Sequence, residues 1–444
     1  MKLRTMKKVI ALVIMVIMLM TAVSALASTA EEKLNTLSQL AVGYLNAGNF
    51  DKAMDYLDKA LDLCTEETYP ELYAELHMNK GLILANQKDY EKGLAELDEA
   101  LRVNPELSNA YLIRSAVFSE TGETEKSDEA YQKYLELEQV DGAAKIYYSA
   151  TTKMNAARYT EAAAEFETIF DDAEYGTAAV YSAGSCYMQT EEYEKALACF
   201  TRYPESDSQP DDLHYNIAFS SMKLNKLDEA IAEFTVSIET EPYKAAAQYY
   251  RALCALTKTG DTTLEEEKST ELLKMAADDF TAYLEAATET AKAEAEEGTE
   301  VLEVVNDANY YRGACYLTLN EFEKAEADFE ACISHDLYPD ESIYYRGLTR
   351  LQLGKYEEAK ADLTASIEKE FNLNDSLRFR AIASNFLGEY QEAIDDLTVL
   401  VEKGQDVDLY TVYQLRAQAY QNLGDNTHYL EDLETSLEYL DSEE

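Results

Sequence analysis

Proline and glycine are scarce, six and sixteen in 444 residues, which leaves little punctuation for a string of loop-rich domains. Runs of alternating Val and Ile that would mark half-buried strands are absent. Basic side chains number 38 against 86 acidic ones, a formal charge of −48. Nucleic acid is thereby excluded as a partner, since it is gripped through Lys and Arg on phosphate. The four histidines, His77, His214, His335 and His428, stand apart, and none has metal-type spacing to Cys, Asp or another His. No Gly-rich phosphate loop, nucleophile elbow or EF-hand spacing occurs. The expectation is a protein that is not an enzyme, with no catalytic residue, metal site or cofactor; its many carboxylates read as a solvated acidic face.

What the chain does have is a period. An aromatic or Leu three places before a small residue recurs as Tyr159/Ala162, Tyr193/Ala196, Leu227/Ala230, Phe322/Ala325, Tyr356/Ala359 and Tyr390/Ala393, mostly at intervals of 34 residues. Such a period marks a stack of repeats, each able to bury its apolar face only against its neighbours. Within a unit the apolar spacing gives two amphipathic helices of about a dozen residues. Asn, Gly or Asp turns join them, as at residues 46–49, 86–89, 353–355 and 387–389. Gly81, Gly184, Gly313 and Gly347, with Ala150, Ala218, Ala252, Ala381 and Ala417, form a small-residue column in the first helix. It is expected to face the small residues of the second helix and allow close approach.

One apolar run breaks from this pattern. Lys2, Arg4, Lys7 and Lys8 precede residues 9–20, and Ala25-Leu26-Ala27 follows. That is the layout of a secretory signal peptide over residues 1–27, cut after Ala27. An uncleaved anchor is the other reading, because residues 9–26 nearly reach the length of a bilayer span. The short apolar core and the small-residue site directly behind it favour cleavage. Losing four basic side chains takes the formal charge from −48 to −52. The protein is thus expected to be secreted, cell-surface or periplasmic, touching a membrane only through the signal segment if that is uncleaved. The six cysteines fall inside the repeats, where small packing residues are the default; a Cys186–Cys199 bridge within one hairpin is the alternative.

The unit Tyr310-Tyr311-Arg312-Gly313-Ala314-Cys315-Tyr316, then Phe322-Glu323-Lys324-Ala325, then Phe329, resembles the tetratricopeptide repeat family. The resemblance covers residues 34–443 with one interruption. It implies an all-α, right-handed superhelical solenoid of about eleven helix-turn-helix repeats: a 28–256 N-terminal array, an insertion and extended helix at 257–305, and a 306–444 C-terminal array. Two units depart from the pattern, with Thr124 and Ser127, and with Asn426 and Tyr429, in place of the aromatic and Ala. Both are expected to pack less well.

A second regularity is a ladder. Tyr147, Tyr181, Tyr215 and Tyr249 recur at the period, and Tyr310 and Tyr344 resume the column. Seven residues on from the first three stand Met154, Met188 and Met222, then Leu256, Leu317 and Leu351. Seven residues is two helical turns, so each pair shares a helix face. In the family it resembles, first helices line an inner surface on which peptides commonly bind, which makes these columns a candidate groove for a protein or peptide partner. Packing between neighbouring units is the competing role for the same column. A repeated Arg, at Arg114, Arg251, Arg312, Arg346, Arg380 and Arg416, is expected to bridge acidic neighbours. The functional expectation is a non-catalytic scaffold or adaptor outside the cytoplasm. A cell-wall glycan binder and an accessory subunit of a secretion or envelope complex are the alternatives.

Overall fold

The computed structural model describes residues 29–140, 142–204, 209–239, 243–294, 307–404 and 407–440. The signal peptide expected at residues 1–27 and the far end of the 257–305 insertion lie outside the described residues. Among those described there are 22 helices and no strand. Contacts divide the chain into two units, one reaching Gln209 and the other starting at Pro210.

The first unit holds five hairpins: α1 (Thr29–Asn46) with α2 (Phe50–Leu61), α3 (Pro70–Asn86) with α4 (Tyr90–Val103), α5 (Ser108–Thr121) with α6 (Thr124–Leu137), α7 (Gly142–Asn155) with α8 (Tyr159–Glu167), and α9 (Gly176–Gln189) with α10 (Tyr193–Arg202). The second holds six: α11 (Leu213–Lys223) with α12 (Leu227–Ser237), α13 (Lys244–Lys258) with α14 (Glu266–Glu294), α15 (Asp307–Thr318) with α16 (Phe322–Ser334), α17 (Pro339–Gln352) with α18 (Tyr356–Glu368), α19 (Leu373–Phe386) with α20 (Tyr390–Lys403), and α21 (Leu409–Leu423) with α22 (Asn426–Leu440). Within each unit every helix packs on the next, and most first helices also touch the first helix of the following hairpin.

One turn serves almost every hairpin. A single left-handed residue sits at the same place, as Gly48, Gly122, Gly354, Gly388 and Gly424, but also as Lys88, Ala157, Glu191, Asn225 and Asn320. The amide one residue later turns back onto a carbonyl five residues earlier, for example Glu192 onto Tyr187 at 2.9 Å and Lys226 onto Ser221 at 2.9 Å. That bond satisfies an orphan carbonyl of the first helix. The carbonyl of the same residue then accepts the first bond of the second helix, as Glu192 does from Ala196 at 3.0 Å. Three residues therefore stop one helix and start the next.

The core runs along the second helices. Phe166, Phe200, Phe234, Phe280 and Phe329 are each at most 1% exposed, and the Ala column Ala162, Ala196, Ala230, Ala325, Ala359 and Ala393 is fully buried. The glycine column meets a different neighbour from the one expected. A Cβ on Gly184 would stand 2.8 Å from the Phe200 ring, one on Gly81 2.7 Å from Leu97, and one on Gly313 3.1 Å from Phe329. The space these glycines leave is filled by the large apolar residue four beyond the small one. In the α3–α4 hairpin the two small positions also meet, where a Gly81 Cβ would stand 3.0 Å from the Gly93 carbonyl.

The irregular α5–α6 unit carries serine at both small-residue positions, Ser115 and Ser127. Ser127 donates to the Ser115 carbonyl at 2.9 Å and lies 3.2 Å from its hydroxyl, so a buried polar pair takes over from the small apolar one. In the interrupted unit, α13 ends at Lys258 and α14 starts at Glu266. Residues 266–294 of the insertion therefore form a single second helix of 29 residues.

Candidate functional site

The nine ladder residues lie on the first helices α7, α9, α11, α13, α15 and α17, as the spacing requires. Their rings face the second-helix phenylalanines edge-on. Tyr147 to Phe166 is 5.5 Å at 61°, Tyr181 to Phe200 5.6 Å at 62°, Tyr215 to Phe234 5.8 Å at 68°, Tyr249 to Phe280 5.9 Å at 72°, and Tyr310 to Phe329 6.2 Å at 65°. This is the arrangement in which a positive ring edge meets a negative face. Eight of the nine side chains remain half-buried. Tyr344 is the exception at 5% exposed, with its ring 5.7 Å from Phe371. Each of the other five tyrosines thus packs on one side and is partly exposed on the other. Asn155, Gln189, Lys223 and Gln352 are exposed beside the Met and Leu column.

Burial favours the neutral form of four of the phenols. It pushes Tyr215 and Tyr344 up to about 12, and it raises Tyr249 and Tyr310 as well. Tyr249 spends its hydroxyl on Asp307 at 2.7 Å. These four phenols therefore stay neutral near neutral pH and act as aromatic surface.

Two further aromatic sets escaped the sequence reading. Tyr175, Tyr243 and Tyr338 stand at the entry to a following first helix and pack on the ladder, Tyr175 on Tyr147 at 5.3 Å, Tyr243 on Tyr215 at 5.5 Å and Tyr338 on Tyr310 at 5.0 Å. Tyr250, Tyr311 and Tyr345 stack on the phenylalanine of the preceding hairpin, on Phe234 at 6.0 Å, Phe280 at 5.9 Å and Phe329 at 5.8 Å. The signal was available, since Tyr175 and Tyr243 are two periods apart. With 34 tyrosines in the chain, one more column draws no notice.

The arginine column bridges acidic neighbours, as expected, and the partner is specific. In the second unit Arg312, Arg346, Arg380 and Arg416 each form a two-pronged pair with the Asp sixteen residues ahead on the second helix, Asp328, Asp362, Asp396 and Asp432, with closest contacts of 2.6–2.7 Å. Arg251 does the same with Asp279 across the insertion at 2.7 Å. All five carboxylates are 4–8% exposed. Arg114 instead reaches back to Asp98 at 3.2 Å. Of the histidines, His77 and His214 pair with Glu96 and Glu233 on their own second helices, at 2.5 and 2.7 Å.

The six cysteines are all free and buried, so the Cys186–Cys199 bridge is not formed. Burial pushes the Cys186, Cys254 and Cys315 thiols up to about 12. Among the described residues no group of three or more His, Cys, Asp or Glu could hold a metal ion, and no helix is long and apolar enough to cross a membrane.

Comparison with known proteins adds the following. Family models described as tetratricopeptide repeat match residues 39–106 and 147–211, and a second such model matches 307–336. A tetratricopeptide repeat-containing protein of Methanocaldococcus jannaschii is 25% identical over 194 residues, which is 42% of this chain and about a third (33%) of that relative's length. Among solved structures, a tetratricopeptide repeat protein from Parabacteroides merdae is similar at 20% identity and a TM-score of 0.38, covering 57% of this chain and 92% of the other. The C-terminal part of a repeat-containing protein from Cytophaga hutchinsonii is similar at 12% identity and a TM-score of 0.43, covering 58% and 94%.

Proposed function

Because this chain belongs to the tetratricopeptide repeat family, we propose that it is a non-catalytic adaptor outside the cytoplasm, holding a protein or extended peptide along the Tyr and Met face of its first helices. The observation that carries this reading is the half-buried state of Tyr147, Tyr181, Tyr215, Tyr249, Tyr310, Met154, Met188 and Met222. Each tyrosine packs one side on a core phenylalanine and keeps area for a ligand, and two helical turns on the methionine offers a soft surface that repacks around varied partners. Tyr344 belongs to the packing. Placement outside the cytoplasm rests on the basic, apolar and small-residue succession of residues 1–27.

The test uses residues 28–444 as bait against extracellular protein and against cell-wall polymer. The comparison variant is Met154→Ala, Met188→Ala and Met222→Ala together, which spares the ring contacts. A discrete protein retained by the parent and lost by a variant whose melting temperature stays within a few degrees supports the reading, at about 1 kcal/mol or more per side chain. Retention of polymer alone would move the assignment to glycan binding.

A further inference from the structure

The hairpin junctions of the second unit reuse three positions on each second helix. The first is Glu326, Lys360 or Ile394. Glu326 takes Arg350 and Lys355 of the next hairpin, Lys360 takes Glu389 and Glu392, and Ile394 is 4% exposed. The second, four residues on, accepts a guanidinium from the incoming first helix: Thr364 from Arg380 at 3.2 Å and Thr398 from Arg416 at 3.1 Å. Thr235 and Thr281 do the same for Arg251 and Arg312, at 3.0 and 3.3 Å. The third, seven on from the first, is Ile238, Leu284, Ile367 or Val401, packed into the apolar clusters of the array.

On α22 these three positions are Leu430, Glu434 and Leu437. The two leucines are 56% and 57% exposed, Glu434 is exposed between them, and no described residue covers them. This helix keeps the apolar stacking residues of an inner repeat and places a carboxylate at the position that receives Arg251, Arg312, Arg380 and Arg416 on the preceding second helices; on α16 that position is the exposed Glu330. We propose that the outer face of α22 is a second docking surface, which takes an amphipathic helix of a partner protein carrying an arginine between two apolar residues. Charge supports that occupant. Asp432 is spent on Arg416, while Glu431, Glu434 and Glu438 are exposed and α22 has no Lys or Arg. A second copy of this chain fits poorly. Its first described helix, α1, has the 38% exposed Leu40 where the inner first helices carry arginine, and the formal charge of −48 repels a like molecule.

The probe is a fluorescein-labelled, helix-stapled peptide with the sequence of residues 409–423, which contains Arg416, titrated against the full chain by anisotropy. We expect saturable binding that Leu430→Gln with Leu437→Gln abolishes and that Glu434→Lys weakens by about tenfold or more. A peptide with Arg416→Glu should regain affinity for the Glu434→Lys protein. All three side chains are exposed, so melts of these variants should match the parent, and the triple methionine variant should bind the peptide unchanged. Absence of binding at about 1 mM peptide, or binding indifferent to the charge swap, overturns the proposal. So does a dimer in sedimentation that the leucine substitutions dissolve, since the face would then serve a second copy.

Discussion

Asp328→Ala, with Arg312 left in place, should be among the most damaging single changes in the second unit. Arg312 donates to Asp328 through Nε at 2.9 Å and Nη2 at 2.6 Å, and through Nη1 to Thr281 at 3.3 Å. The two side chains are 14% and 6% exposed. Removing the carboxylate leaves a guanidinium that water reaches poorly, a cost of about 3–5 kcal/mol. Replacing both partners by apolar groups of similar volume, Arg312→Met with Asp328→Leu, removes the charge together with its counter-charge and should cost about 1 kcal/mol or less. The chain itself contains an uncharged version of this arrangement: in the α9–α10 hairpin the same two positions are Ala183 and Cys199, 0% and 6% exposed. Urea unfolding followed by circular dichroism gives the two costs, and hydrogen exchange on α15 and α16 shows whether the loss is local to the hairpin. Equal costs for the single and double variants, or a single variant within 1 kcal/mol of the parent, would refute the stranded-charge reasoning.

Phe234→Ala should destabilise by roughly 3–5 kcal/mol, because it empties the space between Tyr215 and Tyr250; a melt like that of the parent would contradict the repeat register. Ala157→Gly should stabilise by about 0.5–1 kcal/mol, since Ala157 sits at φ 62° and glycine adopts that left-handed conformation without the clash of a Cβ. Native Cys186, Cys254 and Cys315, with thiols near 12, should be alkylated about a thousandfold more slowly than a free thiol at pH 8. Denaturation should then expose six reactive thiols, and a count of four would mean a disulfide. The Arg102 guanidinium, helped by Tyr73, depresses Glu99 to about 2. Its contribution is present above the unfolded carboxyl range, near 4.3, and is lost as pH falls from there toward 2. The stability gap between parent and Glu99→Gln should close over that interval and not above it.

The alternation of helices was open to reading from the period alone, because each unit writes its own boundaries. α16, α18 and α20 begin at Phe322, Tyr356 and Tyr390, the aromatics that anchor the pattern. The turns were visible where they carry glycine or asparagine and hidden at Ala157 and Glu191, where packing of the two helices imposes a left-handed residue that the side chain does not advertise. The Arg column could be seen, but its partner could not. Asp328 is one of 86 acidic residues, and only the crossing of two helices selects it. The Tyr ladder was legible as a helix face. That each ring also packs edge-on against a phenylalanine depends on how the hairpin closes, and that is information held in no single helix. The uncovered state of Leu430 and Leu437 was equally hidden, since the same positions are buried or half-buried in the inner repeats of the second unit.

The most direct measurement of the central claim is site-specific photocrosslinking from the ladder. A photoreactive phenylalanine analogue at Met188 or Met222, in residues 28–444, should capture one discrete protein from the extracellular fraction. The same analogue at the exposed Lys195 on the second helix α10 should capture none. Capture from Lys195 but not from Met188 or Met222 would contradict the assignment of the first-helix face as the binding surface.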